Sequence, residues 1–90
     1  MHAIVFQVKI HDREEADKLL HEQFVPQMSQ APGFVSAYWV QTRAGAGTSV
    51  IVFESEEAVR RVAEGTPRVQ SDALTVESVD FGEVVAHAGA

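Results

Sequence analysis

The fold of this chain is decided by the sequence FVSAYWVQT-R-AGAG-TSVIVF, which occupies residues 34–53. Its two ends are rich in aromatic and β-branched residues, which favour strands, and its glycine-rich middle favours a turn. We therefore predict a hairpin of strands 34–42 and 48–53 joined by a turn at 44–47. Strict alternation divides the first strand between two apolar faces: Phe34, Tyr38 and Val40 on one, Val35, Ala37 and Trp39 on the other.

The segment before this hairpin predicts a strand followed by a helix. In residues 3–10 the apolar side chains alternate and share one strand face: Ile4, Phe6, Val8 and Ile10. Asp12 and Glu15 have the spacing of a capping box, which starts a helix. Apolar residues then recur at helical spacing: Ala16, Leu19, Leu20, Phe24 and Met28. Pro26 lacks the N–H that would bond to the carbonyl of Glu22, so we expect the last turn to kink or loosen.

The segment after the hairpin predicts a second helix and a fourth strand. Ser55 is a natural N-cap for a short helix through about Glu64, and Gly65 ends it. Residues 66–72 have the polar, proline-containing composition of a loop. We expect a last strand from about Leu74 to Val85, with a break or bend at Gly82.

The element order is therefore β-α-β-β-α-β, and it predicts a single α+β domain over residues 1–90 with the ferredoxin-like arrangement. This arrangement is a four-stranded antiparallel sheet with both helices on one face. The hairpin is apolar on both sides, so the helix-free face needs a cover as well. We predict a homodimer in which the helix-free faces of two copies pack together, because a domain of 90 residues leaves much apolar surface uncovered.

Composition excludes several function classes. The net charge is −6 and basic residues are few, which argues against nucleic acid and anionic membranes as partners. The chain has no cysteine, so a disulfide framework, a thiolate metal site and a cysteine nucleophile are excluded. Residues 1–10 lack the basic start of a signal peptide and are interrupted by Gln7 and Lys9, so we expect a cytoplasmic protein.

The layout resembles the antibiotic biosynthesis monooxygenase-like family of dimeric α/β-barrels across nearly the whole chain. The residues that carry the resemblance are the strand 4–10, Phe24-Val25-Pro26, Ala31-Pro32-Gly33-Phe34 and residues 53–58. The family is similar in architecture to cofactor-free quinone-forming oxygenases, haem-degrading oxygenases, proteins that process signal molecules, and many members without known activity. The resemblance thus implies a fold more strongly than a reaction.

Members of the haem-degrading branch of this family share three residues that can be sought in this sequence. They combine an asparagine on the first strand, a tryptophan on the second helix and a ligating histidine soon after. Here Gln7 stands for the asparagine and Val62 for the tryptophan, and no histidine occurs from Arg60 to Val85. We therefore predict no haem, and, without a dinucleotide glycine fingerprint, no flavin or nicotinamide cofactor.

Three residues are candidates for a ligand pocket: Gln7, Tyr38 and Trp39. Trp39 is the only tryptophan and either stacks on an aromatic ligand or belongs to the core or the dimer interface. Gln7 would face away from Phe6, toward the barrel, and either binds a ligand carbonyl or pairs with a neighbouring side chain. Small Val35 and Ala37 beside Trp39 would leave room for a cavity.

His2 and His87 are weak metal candidates. They lie near the ends of the first and last strands, which are antiparallel neighbours in a ferredoxin-like sheet, so the two imidazoles could meet. Two imidazoles without a third ligand make a poor metal site, and both lie near the chain ends. We therefore predict no metal.

Three functions remain open. The first is a cofactor-independent monooxygenase acting on a small aromatic or quinol-like compound. The second is a non-catalytic small-ligand binder that uses the same cavity, and the third is a structural or accessory dimer with a filled interior. An open pocket between the helices and the sheet would favour the first two.

Overall fold

The computed structural model describes residues 1–65 and 72–89, which form a four-stranded antiparallel sheet with helices on one face. The strands are β1 (His2–Ile10), β2 (Phe34–Arg43), β3 (Ala46–Phe53) and β4 (Leu74–Glu83), in the order β2-β3-β1-β4. The helices are α1 (Arg13–Leu19), α2 (Val25–Ser29) and α3 (Glu56–Gly65). This is the ferredoxin-like β-α-β-β-α-β arrangement, so the predicted fold class is confirmed. The predicted loop at 66–72 lies, apart from Asp72, outside the described residues.

A π-helical turn, Leu20–Phe24, separates α1 from α2. The backbone N–H of Val25 donates to the carbonyl of Leu20, five residues back, instead of four. Pro26 consequently falls in the first turn of α2, where its missing N–H costs nothing. The loosening expected around Pro26 is real, but it lies one turn earlier than we predicted.

The start of α1 has half of the predicted capping box. The N–H of Glu15 donates to Asp12 Oδ1 at 3.2 Å. The N–H of Asp12 donates to the carbonyl of Ala73 at 3.1 Å rather than to the Glu15 side chain. The same backbone contact therefore ties the start of this helix to the residue before β4.

The hairpin turn is shorter than predicted. Arg43 pairs with Ala46 across it, so the turn consists of Ala44 and Gly45, with Gly45 at φ 77°. A positive φ of this kind strains any residue with a side chain. Ala46 and Gly47, which we assigned to the turn, instead begin β3.

A bulge in β2 changes which residues share a face. Phe34 pairs with Phe53 and Ser36 pairs with Val52, so Val35 is an extra residue. Phe34 therefore lies on the helix side with Ala37 and Trp39, and its ring centroid is 6.1 Å from that of Phe53. The predicted grouping of Phe34 with Tyr38 and Val40, and of Val35 with Trp39, is wrong because strict alternation cannot foresee the extra residue.

The last strand also contains a bulge, at Glu77. Gln7 pairs with Ser78 whereas Val8 pairs with Val76. The predicted irregularity at Gly82 is therefore displaced by five residues, and the strand ends at Glu83 rather than Val85. None of the helices in the described part of the chain is long and apolar enough to cross a membrane.

The apolar core consists of two clusters on the helix side of the sheet. The larger is built around Ile4, Phe6, Ile51, Phe53 and Val59. The smaller contains Ala16, Ala73 and Leu74. The candidate site described next is bordered by members of both clusters.

Candidate ligand cavity

A partly enclosed cavity of about 180 Å³ lies between the sheet and the helical segment 13–29. Phe6 and Ile51 from the larger core cluster and Ala16 and Leu74 from the smaller one all line it. The cavity therefore lies where the two clusters fail to meet.

The helical wall of the cavity follows from the π-helical turn. Leu20 and Phe24, which begin and end this turn, line the cavity together with Met28 of α2. All three side chains are only half-buried, although they belong to the predicted apolar stripe. π-helical turns occur frequently at functional sites, and this one forms part of the cavity wall.

The sheet wall of the cavity includes a closely packed glycine of β3. Gly47 lines the cavity, and a Cβ atom added there would lie 3.1 Å from Val8 Cγ2 and 3.5 Å from Ile10 Cδ1. Both of those side chains line the cavity too. A side chain at this position would therefore push against two side chains that shape the cavity.

Polar side chains are few among the lining residues: Asp17, Gln41, Thr48 and Ser49. Asp17 is exposed on α1 and is the one carboxylate among the lining residues. Ser49 is only 7% exposed. Thr48 points away from the helices, because its hydroxyl donates to Gln7 Oε1 at 2.7 Å. The walls are otherwise apolar, as is typical of sites that bind small organic molecules.

The three pocket residues predicted from the sequence lie on two different faces. Trp39 lines the cavity, half-buried on the helix side of β2. Gln7 and Tyr38 lie on the helix-free face, where Tyr38 is 69% exposed and the Gln7 amide pairs with Thr48. The structure thus separates Gln7 and Tyr38 from Trp39, and a ligand-binding role for any of them stays a prediction.

Histidines are absent from the described lining of the cavity. His11 Nε2 lies 2.8 Å from Thr75 Oγ1 at the sheet edge. His2 pairs with Glu83 across β1 and β4, and His87 lies beyond the end of β4. The imidazole ligation used by haem-degrading oxygenases therefore has no donor among the described residues of this cavity. Within residues 1–65 and 72–89, no three His, Cys, Asp or Glu side chains are grouped as a metal site.

Sequence reasoning missed most of the cavity. It expected room from Val35 and Ala37, neither of which lines the cavity. Two small residues of β3, Gly47 and Ser49, line the cavity instead; they flank Thr48 in sequence and therefore share the helix side of the strand. Their spacing could have indicated a gap in an otherwise bulky strand, had the strand been started at Ala46.

No family model and no curated protein matches this chain. Solved structures do match. MhuD of Mycobacterium tuberculosis, in a structure with two manganese protoporphyrin IX molecules bound per active site, is 19% identical with a TM-score of 0.76, and the match covers 100% of each chain. SnoaB of Streptomyces nogalater, a cofactor-independent oxygenase, is 13% identical with a TM-score of 0.71, covering 96% of this chain and 94% of that one.

A dimeric ferredoxin-like protein from an uncultured marine organism matches over 100% of both chains, with 12% identity and a TM-score of 0.64. At these identities the similarities establish a common fold. The resemblance to the antibiotic biosynthesis monooxygenase-like proteins, inferred above from the sequence, is therefore confirmed at the level of the fold.

Proposed function

We propose that the cavity binds a small aromatic or quinol-like compound and that the protein oxidises it as a cofactor-independent monooxygenase. The observation that carries this proposal is the cavity of about 180 Å³, with Trp39 in its wall and few polar groups. SnoaB, which has the same fold, is a cofactor-independent oxygenase, and this supports the reaction class.

The size and the lining of the cavity favour a compact aromatic ligand. An apolar protein cavity of roughly 150 Å³ holds benzene, so the space here suits a ring with a small substituent. Trp39 and Phe24 offer aromatic surfaces that stack on or meet the edge of such a ring. The thioether of Met28 adds a polarisable contact of the kind that aromatic rings favour.

The reaction balances without any bound cofactor. For a phenol with a free para position, one dioxygen molecule inserts one oxygen atom to give the quinone and leaves the other as water. The substrate supplies all four electrons that dioxygen takes up. The protein therefore has to hold the ring and favour loss of the phenolic proton, so that the electron-rich anion meets oxygen. Asp17, the carboxylate in the described lining, is our candidate proton acceptor.

The helix-free face supports a homodimer. It presents Tyr38 and Val40, which are 69% and 51% exposed in the single chain. A second copy that packs its own helix-free face there would cover both and leave one cavity in each protomer.

Binding and turnover are tested separately on the wild-type protein. Trp39 is the only tryptophan, so its fluorescence reports events at the cavity. A panel of phenols and quinols should change this fluorescence saturably, and oxygen consumption with the same compounds identifies turnover. If no compound perturbs Trp39, both small-molecule functions fail.

The role of Asp17 is tested with Asp17→Asn. We expect this variant to lose at least about tenfold in oxygen uptake, because general-base catalysis contributes about 10²–10⁴-fold. Glu14→Gln is the matched control, since Glu14 is an exposed acid of the same helix that does not line the cavity. Equal rates in both variants would exclude Asp17 as the base.

Non-catalytic binding is the second candidate, and one observation favours it. The carboxylate of the lining, Asp17, lies on an exposed residue rather than deep in the cavity. Saturable binding without oxygen consumption would assign the cavity to a binder.

The expected absence of a cofactor has its own test. We expect the purified protein to be colourless. A stoichiometric Soret band on haem titration, lost on substitution of one particular histidine, would contradict this.

A further inference from the structure

Ser49 is a buried polar residue in the wall of the cavity. It is 7% exposed, and its same-face neighbours on β3 are Gly47, Ile51 and Phe53, none of which has a polar side chain. In the sheet it lies between Trp39 on β2 and Phe6 on β1, which are its direct partners. Directly opposed side chains are close neighbours, so the Ser49 side chain lies beside those of Trp39 and Phe6.

The Ser49 hydroxyl makes no hydrogen bond with another residue of the described chain. Among the described residues, the side-chain nitrogen or oxygen that is fully enclosed and has no hydrogen-bond partner is His2 Nδ1. The Ser49 oxygen is therefore not fully enclosed, and the residue lines the cavity. The neighbouring hydroxyl of Thr48 behaves differently, since it donates to Gln7 on the other face. The Thr48 hydroxyl thus has a hydrogen-bond partner, whereas the adjacent Ser49 hydroxyl is open to the cavity.

We infer that the Ser49 hydroxyl anchors the polar atom of the bound ligand, so that the cavity selects an arene carrying a hydroxyl or carbonyl oxygen over a hydrocarbon of the same shape. The inference rests on the proposed function and specifies its ligand class. Native proteins pair nearly all their buried polar groups, and a ligand oxygen supplies the pairing that the described chain does not. A serine hydroxyl both donates and accepts, so it serves a phenol, a phenolate or a quinone carbonyl.

The location of Ser49 also fixes how the ligand lies. With its oxygen at Ser49, the ring is placed beside Trp39, the β2 partner of Ser49, which also lines the cavity. A phenolate in this position receives a hydrogen bond from Ser49, which favours loss of the phenolic proton. Ser49 therefore sets which class of ligand binds.

The test compares phenol with toluene, in which a methyl group replaces the hydroxyl. Binding to wild type, Ser49→Ala and Ser36→Ala is measured by calorimetry and by Trp39 fluorescence. Ser36→Ala is the matched control, because Ser36 pairs with Val52 on the helix-free side of the sheet. Phenol should bind Ser49→Ala about tenfold more weakly than wild type, while toluene affinity stays within about twofold in every protein.

Each result decides between the two proposals. If wild type binds neither compound, the proposed function fails and the anchor fails with it. If wild type binds phenol and Ser49→Ala binds it equally well, the proposed function stands and the anchor is wrong. A parallel loss of phenol and toluene affinity would indicate a structural role for Ser49 and also overturn the anchor.

Folding of the variants does not limit the test. Near-UV circular dichroism establishes whether Ser49→Ala retains native packing. If it does not, Ser49→Cys replaces it, because a thiol of similar size forms much weaker hydrogen bonds. One requirement needs no variant. Wild type must bind phenol at least several-fold more tightly than toluene, because otherwise Ser49 does not act as the anchor.

Discussion

The two faces of the sheet differ because helices pack on one of them and not on the other. On the helix side, Ile4, Ile51 and Phe53 are at most 1% exposed, and the cavity interrupts this core. On the helix-free side, Tyr38 is 69% exposed and polar side chains such as Gln7 and Thr48 pair with each other. The same strands therefore form a covered apolar layer on the helix side, interrupted by the cavity, and an uncovered layer of apolar and polar side chains on the other side. The proposed ligand binding belongs to the first layer and the proposed self-association to the second.

Placing a charge on the helix side should have the largest effect. Ile51 is 1% exposed, so Ile51→Asp buries a carboxylate without a partner. We expect it to destabilise the fold by more than about 4 kcal/mol and to abolish cooperative thermal unfolding. A native-like circular dichroism spectrum with an unchanged melting temperature would show that this layer is not the core.

The same charge one residue earlier should separate association from folding. Val50 lies on the helix-free face, paired with Tyr38 and Val5. We expect wild type to have twice the mass of the 9.8 kDa chain and Val50→Asp to stay folded as a monomer. Light scattering that gives 9.8 kDa for wild type would remove the dimer altogether.

Adding a methyl group at the cavity wall should have a smaller effect. Gly47→Ala adds a Cβ at 3.1 Å from Val8 Cγ2, which is tight and lies at the cavity wall. We expect a stability loss of about 1 kcal/mol and weaker phenol binding. Gly82→Ala is the control, because nothing lies within 4 Å of its added Cβ. Equal phenol affinity in the two variants would place the ligand elsewhere.

The smallest effect should come from the hydrogen bond on the helix-free face. Thr48→Val removes the hydroxyl that donates to Gln7 Oε1 at 2.7 Å. Because the pair is exposed, we expect a loss of about 0.5–1 kcal/mol in the free energy of unfolding. Phenol affinity should not change. A marked loss of phenol affinity would mean that the hydroxyl of Thr48, rather than that of Ser49, faces the ligand.

The sequence by itself determined the element order and the fold class. Alternation in β1, the cap at Asp12 and the N-cap at Ser55, whose Oγ accepts from the N–H of Ala58 at 3.2 Å, are local features that need no tertiary contact to act. Local physical preferences of this kind can be read from a single chain. The same is true of Pro26, which predicted a disturbed helix, though one turn too late.

The tertiary structure alone decided where the cavity lies and what lines it. The bulge at Val35 reassigns the faces of β2, and an extra residue in a strand leaves no trace in an alternating pattern. The two-residue turn extends β3 back to Ala46 and so adds Gly47 to the helix-side residues of this strand. The packing of the helices decides that Trp39 faces the cavity whereas Gln7 lies on the helix-free face, although the sequence had suggested both for one pocket. A cavity is the space left where two packed clusters do not meet, and it depends on how distant elements pack rather than on any single segment.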